Sequence, residues 1–552
     1  MNSSLSHDGS TLDNGSTLAY QAIDQTDTHT TASQNTHRKR RSALGQWLHR
    51  NGMTLHRWVG IVALIPALLW SLSGTAHPFM AHWFKPPIAR EFLSPVPIQI
   101  GAMQTDIATA LATQNITSVK QVRIVQWNSA QYYQVQLPAT PEFVYLDTRT
   151  DTALADGDKQ YAVALAKQYL GNPNATLVSA TLITSFDDDY RYINRLLPVW
   201  KISVAEGGYD VYIETSSGRM ATYNTPLRRA FLQAFQYLHN WGWLNGMESL
   251  RLSVITLGLT IILVSALSGV VMYGVLWRKR RTIPAQGLRK YHRSIGLAVS
   301  LSTFMFASSG LYHALHKDRL HDEQQQRNYA TQAGVAFSSA EIASLQSVVA
   351  SISAPIFDMA FVRLRSTPYV RLTHGVQEQD KTNDCCTILS VPAQTSASTS
   401  APSQQSVKAP SLRGATLIDL TTLQPLSRGD ERYSIFVATE LCALDPASII
   451  GTQLVTEFKG EYGFINKRLP VWRVNFATPD HRSIYIEPQT ATLAADVNDS
   501  DRREGFAFAY IHKLEFLKPL GKDVRDGTAV VLGLLNSAVA ILGLALFVRI
   551  KR

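Results

Sequence analysis

Residues 55–60, LHRWVG, and residues 291–296, YHRSIG, each set a His-Arg pair at the start of a long apolar run. An ionisable, metal-capable side chain at the mouth of a hydrophobic helix is costly, so its appearance twice in one local context invites a functional reading. Working outward from these two stretches, four apolar spans stand out: 54–80, 250–277, 291–315 and 527–549. Each is long enough to cross a bilayer as a helix.

Charge fixes their direction. Residues 38–57 hold six Lys/Arg and no Asp/Glu, residues 278–293 hold seven and none, and the closing VRIKR holds three and none. All three basic stretches flank apolar spans, which is the positive-inside pattern. The formal charge of +10 is therefore read as topology, and no nucleic-acid partner is expected. The pattern predicts both termini inside, with residues 81–249 and 316–526 outside and a short inner loop at 278–290. Residues 1–45 are rich in Ser, Thr, Asn and Asp, which predicts a disordered tail. The first span follows RKRR, which suits an uncleaved signal-anchor. Hydrophobic residues make up 45% and charged residues 17%, while mean hydropathy is near zero, so sizeable polar domains must balance the spans.

The two outer segments look like one module used twice. The first contains YINRLLPVWKISV and then AFQYLHNWGWLNGM; the second contains FINKRLPVWRVNF and then AFAYIHKLEFLKPLG. Alternating strand-like runs precede a helical run ending at Tyr-x-His in both. His56 matches His292, Ser73-Gly74 matches Ser309-Gly310, and His77 matches His313, all at an offset of 236. The offset is 272 from Asp147/Asp419 through the PVW motif, and 273 at His239/His512. The jump of 36 is the length of 377–412, a Ser/Thr/Pro/Gln-rich stretch that reads as a flexible insertion. The expected fold is a membrane protein of four transmembrane α-helices in two parallel repeats, with two outer α+β domains, related by a pseudo-two-fold axis along the membrane normal.

Of fifteen histidines, six form the matched pairs His56/His292, His77/His313 and His239/His512. Two neutral imidazoles from symmetry-related helices suit the axial positions of a haem iron. Zinc would want three or four ligands, and no Cys or Glu cluster accompanies these positions. His56 and His77 are twenty-one residues apart, about 31 Å along a helix, so they cannot share one iron. That spacing predicts two cofactors, one near each membrane face. The inner one takes His56 and His292; the outer takes either His239/His512 or His77/His313. Gly60, Gly74, Gly296 and Gly310 either make room for a flat macrocycle or serve close helix packing. Asp187–Asp189 reads as a solvated turn, and Trp200 and Trp472 as domain core. Cys385, Cys386 and Cys442 form no CxxC pair, so neither a zinc site nor a thioredoxin motif is indicated, and whether they form a loop disulfide is left open by the sequence.

LHRWVG…SGTAHP and YHRSIG…SG resemble the opening helix of PepSY-associated transmembrane proteins. YLHNWGWLNGMESLRL…LSGVVMYGVLWRKRR resembles their returning helix, with its Leu-His start and basic end. The resemblance covers roughly residues 45–552. Asn240 and Trp241 replace a small residue and Gly, and the fourth helix matches less closely than the second. Some members of this family reduce ferric siderophores in the inner membrane of Gram-negative bacteria. The resemblance implies two b-type haems held by paired histidines, with His239/His512 favoured as the outer pair. It also implies a periplasmic Fe(III)-siderophore as acceptor. No dinucleotide or phosphate-loop motif is present, so electrons would come from membrane quinol or a cytoplasmic donor. The alternative classes are a PepSY-type sensor or regulator without catalysis, and a proton-coupled transporter.

Overall fold

The computed structural model describes residues 43–138, 140–275, 286–326, 337–342, 348, 355–374 and 415–551. The expected insertion at 377–412, with Cys385 and Cys386, lies outside the described residues, as does most of the basic 278–290 loop.

The chain opens with helix α1, Ala43–Pro78, which starts within the stretch expected to be tail. A one-turn π-helix, Phe79–Trp83, follows it. Helix α2 (Ile107–Thr113) and strands β1 (Ser118–Val119), β2 (Gln121–Trp127), β3 (Ala130–Gln136) and β4 (Phe143–Asp147) come next. After helix α3 (Gly157–Leu170) a meander of β5 (Leu177–Ile183), β6 (Val199–Val204), β7 (Asp210–Glu214) and β8 (Arg219–Asn224) leads to helix α4, Pro226–Leu238. Thr225 caps α4 by accepting from the Arg228 amide, and Pro226 fills the first turn, where its missing N–H costs nothing. Helix α5, Glu248–Val275, completes the first half.

Helix α6, Leu288–Gln326, starts the second half and runs well beyond the expected end at residue 315. Strand β9 (Phe337–Ser338), a turn of helix α7 (Ser339–Ile342), and strands β10 (Ile356–Leu364), β11 (Thr367–His374), β12 (Ala415–Asp419) and β13 (Pro425–Leu426) follow. Helix α8 (Gly429–Cys442) precedes a second meander of β14 (Ile449–Val455), β15 (Val471–Phe476), β16 (Ser483–Glu487) and β17 (Thr492–Val497). Helix α9 (Asp499–Ala507), started by an Asn498/Asp501 capping box, runs into a π-turn at Phe508–His512, and helix α10 spans Lys522–Lys551.

The two meanders pair alike. Trp200 stands opposite Ile213 in one, and Trp472 opposite Ile486 in the other. In each half the helix after the first sheet is packed between that sheet and the meander. Val125, Trp127, Phe143 and Tyr145 face α3 and β6–β8, and Val362, Tyr369 and Leu417 face α8 and β15–β17. Trp200 belongs to the first of these cores, as expected, and its indole donates to Asp158 at 2.8 Å. Asp187–Asp189 form a loop turn in which Asp187 accepts the amides of Asp189 and Tyr190.

The α+β regions expected from the sequence are present, but they are not separate bodies. The alternate residues of the two first sheets meet in one core that joins Val122, Tyr133 and Leu146 to Met359, Val370 and Leu372. β1 pairs with β9 across the halves. Fully burying each such large apolar side chain contributes roughly 1.5–3 kcal/mol. Buried ion pairs cross the same boundary: Arg123–Asp358 at 2.8 Å, Arg468–Glu214 at 2.7 Å, and Arg219–Glu487.

Among the described residues four helices are long and apolar enough to cross a membrane, over Arg50–Trp83, Glu248–Val275, Leu288–His316 and Lys522–Arg549. They close into a ring in which α1 and α6 each pack against both α5 and α10. Small residues allow close approach, since a Cβ on Gly533 would stand 2.5 Å from Thr75 Cγ2.

Candidate functional site

Two pairs of imidazoles face one another inside the helix ring. At the end away from the sheets, the ring centres of His56 on α1 and His292 on α6 are 6.4 Å apart and tilted by 51°. At the end beneath the sheets, His239 and His512 stand 6.5 Å apart at 81°. His239 sits at the close of α4 and His512 at the close of the Phe508–His512 π-turn. Each therefore comes from a short helix that ends at the mouth of the ring.

The hydrogen bonds fix which nitrogen of each ring is available. His56 Nδ1 is 2.8 Å from Ser268 Oγ, His239 Nδ1 is 3.0 Å from Ser73 Oγ, and His512 Nδ1 is 3.1 Å from Ser309 Oγ. A hydroxyl has one hydrogen. Each of these serines donates it to its own helix: Ser268 to Ser265 O at 2.7 Å, Ser73 to Leu69 O at 2.5 Å, and Ser309 to Met305 O at 2.7 Å. The hydroxyls can then only accept from the imidazoles, so Nδ1 carries the proton. His292 Nδ1 faces the Val539 carbonyl at 3.2 Å, which also can only accept. All four histidines are thereby set in one tautomer, with the Nε2 lone pair free. This is the arrangement by which an outer group orients a metal-ligating histidine. Burial first, then His512 and His77, pushes His239 down to about 3. Burial first, then His313 and Lys513, pushes His512 down to about 4. Both stay neutral at physiological pH, as ligands must.

The spacing fits one metal ion per pair. With metal–imidazole nitrogen bonds of about 2.0 Å and roughly 1.1 Å more from nitrogen to ring centre, two rings holding one ion between them would be centred about 6.2 Å apart. Seventeen residues of α1 separate His56 from Ser73, and the same number of α6 separates His292 from Ser309. The two sites are therefore about 25 Å apart along the helices. One continuous cavity of about 2570 Å³ contains both pairs, against about 300–1,000 Å³ for an ordinary small-molecule site. Glycines back the rings: an added Cβ on Gly269 would meet His56 Cε1 at 3.3 Å, and one on Gly543 would meet His292 Cε1 at 3.4 Å. Gly74 and Gly310 lie against Cε1 of His239 and His512, at 3.8 Å each, whereas Gly60 and Gly296 make ordinary helix contacts with Ser265 and Val539.

His77 and His313 are not brought together in this way. His77 packs against Phe235 with ring centres 5.6 Å apart, and Phe235 stacks on His239 at 4.5 Å. His313 stacks on Phe508 at 4.2 Å, Phe508 stacks on His512 at 4.9 Å, and His313 Nδ1 donates to Glu504. Among the described residues no ring contact joins His77 to His313. The matched phenylalanines and serines were not singled out as site residues from sequence. Phe235 and Phe508 were visible as the shared Ala-Phe of AFQYLH and AFAYIH, and Ser73/Ser309 as a repeat match. Ser268 and the Val539 carbonyl carried no sequence signal.

Fold and site together define a membrane protein with four spanning helices, joined α+β domains and two part-buried histidine pairs inside the helix ring. The chain belongs to the family of the PepSY-associated TM region, whose model matches residues 53–549. No curated protein matches it.

Proposed function

We propose that the protein is a di-haem ferric reductase of the bacterial inner membrane, with both termini cytoplasmic and the α+β domains periplasmic. Its halves act as two parallel repeats. In this reading His56 and His292 hold one b-type haem toward the cytoplasm, and His239 and His512 hold the other toward the periplasm. Bound haem would supply one-electron transfer between membrane quinol, or a cytoplasmic donor, and an Fe(III)-siderophore, from which the reduced iron is released. The observation that carries the reading is the ring spacing of the two histidine pairs, with each Nδ1 set against a serine hydroxyl or a backbone carbonyl, so that each pair could hold one iron. A sensor has no need of four lone pairs presented in two such pairs. A proton relay would favour imidazoles that titrate near neutrality, which burial at His239 and His512 opposes.

The chain's own residues do the rest. The serines and the Val539 carbonyl orient the rings, Phe235 and Phe508 pack flat against the outer pair, and the apolar helix walls exclude water. Arg57 and Arg293 line the cavity beside the inner pair, where they can meet carboxylate groups of the cofactor.

Haem quantification on the purified chain tests this. The native protein should carry about two haems. His56→Ala or His292→Ala should remove one and keep the low-spin spectrum of the other; His239→Ala or His512→Ala should do the converse. His77→Ala and His313→Ala should retain both. Full haem content in both His56→Ala and His239→Ala would rule the assignment out.

A further inference from the structure

The sheet-side mouth of the cavity carries a second constellation. Two matched turns meet there, Tyr192–Asn194 from the first half and Phe464–Asn466 from the second. Each ends in a cation held in the left-handed region, Arg195 at φ 66° and Lys467 at φ 65°. That conformation is uncommon and strained for residues other than glycine, so its appearance at both matched positions marks a feature the fold maintains. Each cation lies over its own turn's ring: Arg195 Cζ is 4.9 Å from the Tyr192 centre and Lys467 Nζ 5.8 Å from that of Phe464. Phe464 is 73% exposed, so the face it offers is available to a ligand.

Arg228 stands beside Lys467 on the same cavity wall. One of its terminal nitrogens donates to the Tyr223 carbonyl at 2.8 Å, while its buried Nε has no partner. Among the described residues neither Arg228 nor Lys467 has a carboxylate in ion-pair contact. Glu91, a carboxylate that acts on Lys467 from nearby, is held by Lys85 at 2.6 Å. Burial first, then Arg228 and Lys85, pulls the Lys467 ammonium down to about 8, and Glu91 offsets this only in part. Rim carboxylates do not relieve this. Asp188 is taken by Arg191 at 2.9 Å and Glu461 by Arg473 at 2.8 Å and Arg502 at 2.6 Å. Arg228 lies eleven residues up α4 from His239, about 16 Å, which sets the cluster apart from the histidine pair below it.

We propose that this rim docks the substrate, and that the substrate class is an anionic ferric chelate with aromatic oxygen ligands, of the catecholate type. Three catecholates around Fe(III) leave a net charge of about −3 and present flat rings, so Lys467, Arg228 and Arg195 meet the charge while Phe464 and Tyr192 meet the rings. A neutral tris-hydroxamate chelate offers neither. The assignment of iron as the cargo rests on the reductase reading above; the binding chemistry does not.

Calorimetry on the full chain in detergent, with gallium(III) tris-catecholate as a probe that cannot accept the electron, separates the two. The gallium catecholate should bind at least about tenfold more tightly than neutral gallium(III) tris-acetohydroxamate, and added NaCl should weaken only the former. Lys467→Met and Arg228→Met should each weaken it by about tenfold, while Lys467→Arg keeps it and controls for folding. Equal affinity for the two probes would overturn the docking site. So would unchanged binding in both Met variants, or a loss of haem in them without a loss of chelate binding. Tight, salt-sensitive binding of the catecholate with no reduction of its iron(III) counterpart would leave the site standing and remove the reductase reading instead.

Discussion

Replacing Arg468 with Met tests whether the two halves are one folded body. Arg468 is 5% exposed; it reaches across the boundary to Glu214 at 2.7 Å and within its own half to Glu487 at 2.6 Å, and these carboxylates are 2% and 1% exposed. Glu487 keeps Arg219 as a second partner, but Glu214 is left with the Ser217 hydroxyl. Removing one member of a buried pair costs about 3–5 kcal/mol, because the surviving charge has no solvent to turn to. A second route gives a similar size. Burial raises the Glu487 carboxyl, yet Arg219 and then Arg468 outweigh it and hold the group at about 2, from an ordinary 4.5. That gap corresponds to roughly 3 kcal/mol shared between the two arginines. For a unit of this size the melting temperature should fall by on the order of 10 °C.

The pH dependence carries the sign. A carboxyl depressed in the folded state contributes its full stability above the unfolded value near 4.5, and loses it as pH falls toward 2. The native protein should therefore weaken across that window. The variant has less to lose there, since Glu487 keeps only Arg219 and its carboxyl is held down less strongly. The gap between the two melting curves should narrow from pH 7 to about pH 3. Glu214→Gln added to Arg468→Met should recover part of the loss. A drop below about 2 °C at neutral pH, or a gap that does not change with pH, would refute the reasoning.

Other outcomes follow from the site and the helix ring. If the proposed haems are bound, Ser73→Ala and Ser309→Ala, which remove the acceptor for the outer imidazoles, should speed haem transfer to an excess of acceptor apoprotein by roughly 10–100-fold while sparing the inner site. Gly533→Ala puts a Cβ 2.5 Å from Thr75 Cγ2 and 3.2 Å from the Ser71 carbonyl, beside the Ser71–Ser537 hydrogen bond of 2.7 Å. Detergent melting should show a loss of about 1–3 kcal/mol from overpacking. Reporter fusions near residues 160 and 440 should read as periplasmic, and one at 285 as cytoplasmic.

The spans were legible because twenty apolar residues in a row have few other uses, and the histidine pairs because a repeat marks equivalent positions without reference to structure. The rejection of His77/His313 as a facing pair was not legible. Helical phase alone lets His56 and His77 share a face; what separates His77 from His313 is Phe235 and Phe508 packed against them, a tertiary event. The shared core was hidden for a related reason. Both faces of β2 are buried, as Gln121–Trp127 with five consecutive buried residues shows, and alternation cannot say which face meets the helix and which meets the other half. Arg468 and Arg219 also escaped notice, since they break the repeat: Leu196 and Thr492 hold the matched positions.

The choice of serine behind three of the four histidines has a physical reason in this setting. Many metal-bound histidines lean on a carboxylate, which orients the ring and raises its basicity. Within a helix ring facing lipid, an ionised carboxylate would carry a large desolvation cost and invite the ring to protonate. A hydroxyl whose hydrogen is already given to its own helix, as Ser73 gives its to Leu69, is a neutral acceptor with no remaining donor. It can take the Nδ1 proton and nothing else, so the tautomer is set without adding charge. The carboxylate that is present, Glu504, sits on His313, on the far side of Phe508 from His512. The Glu504 carboxylate is thus kept one ring away from His512, whose ring centre stands 6.5 Å from that of His239.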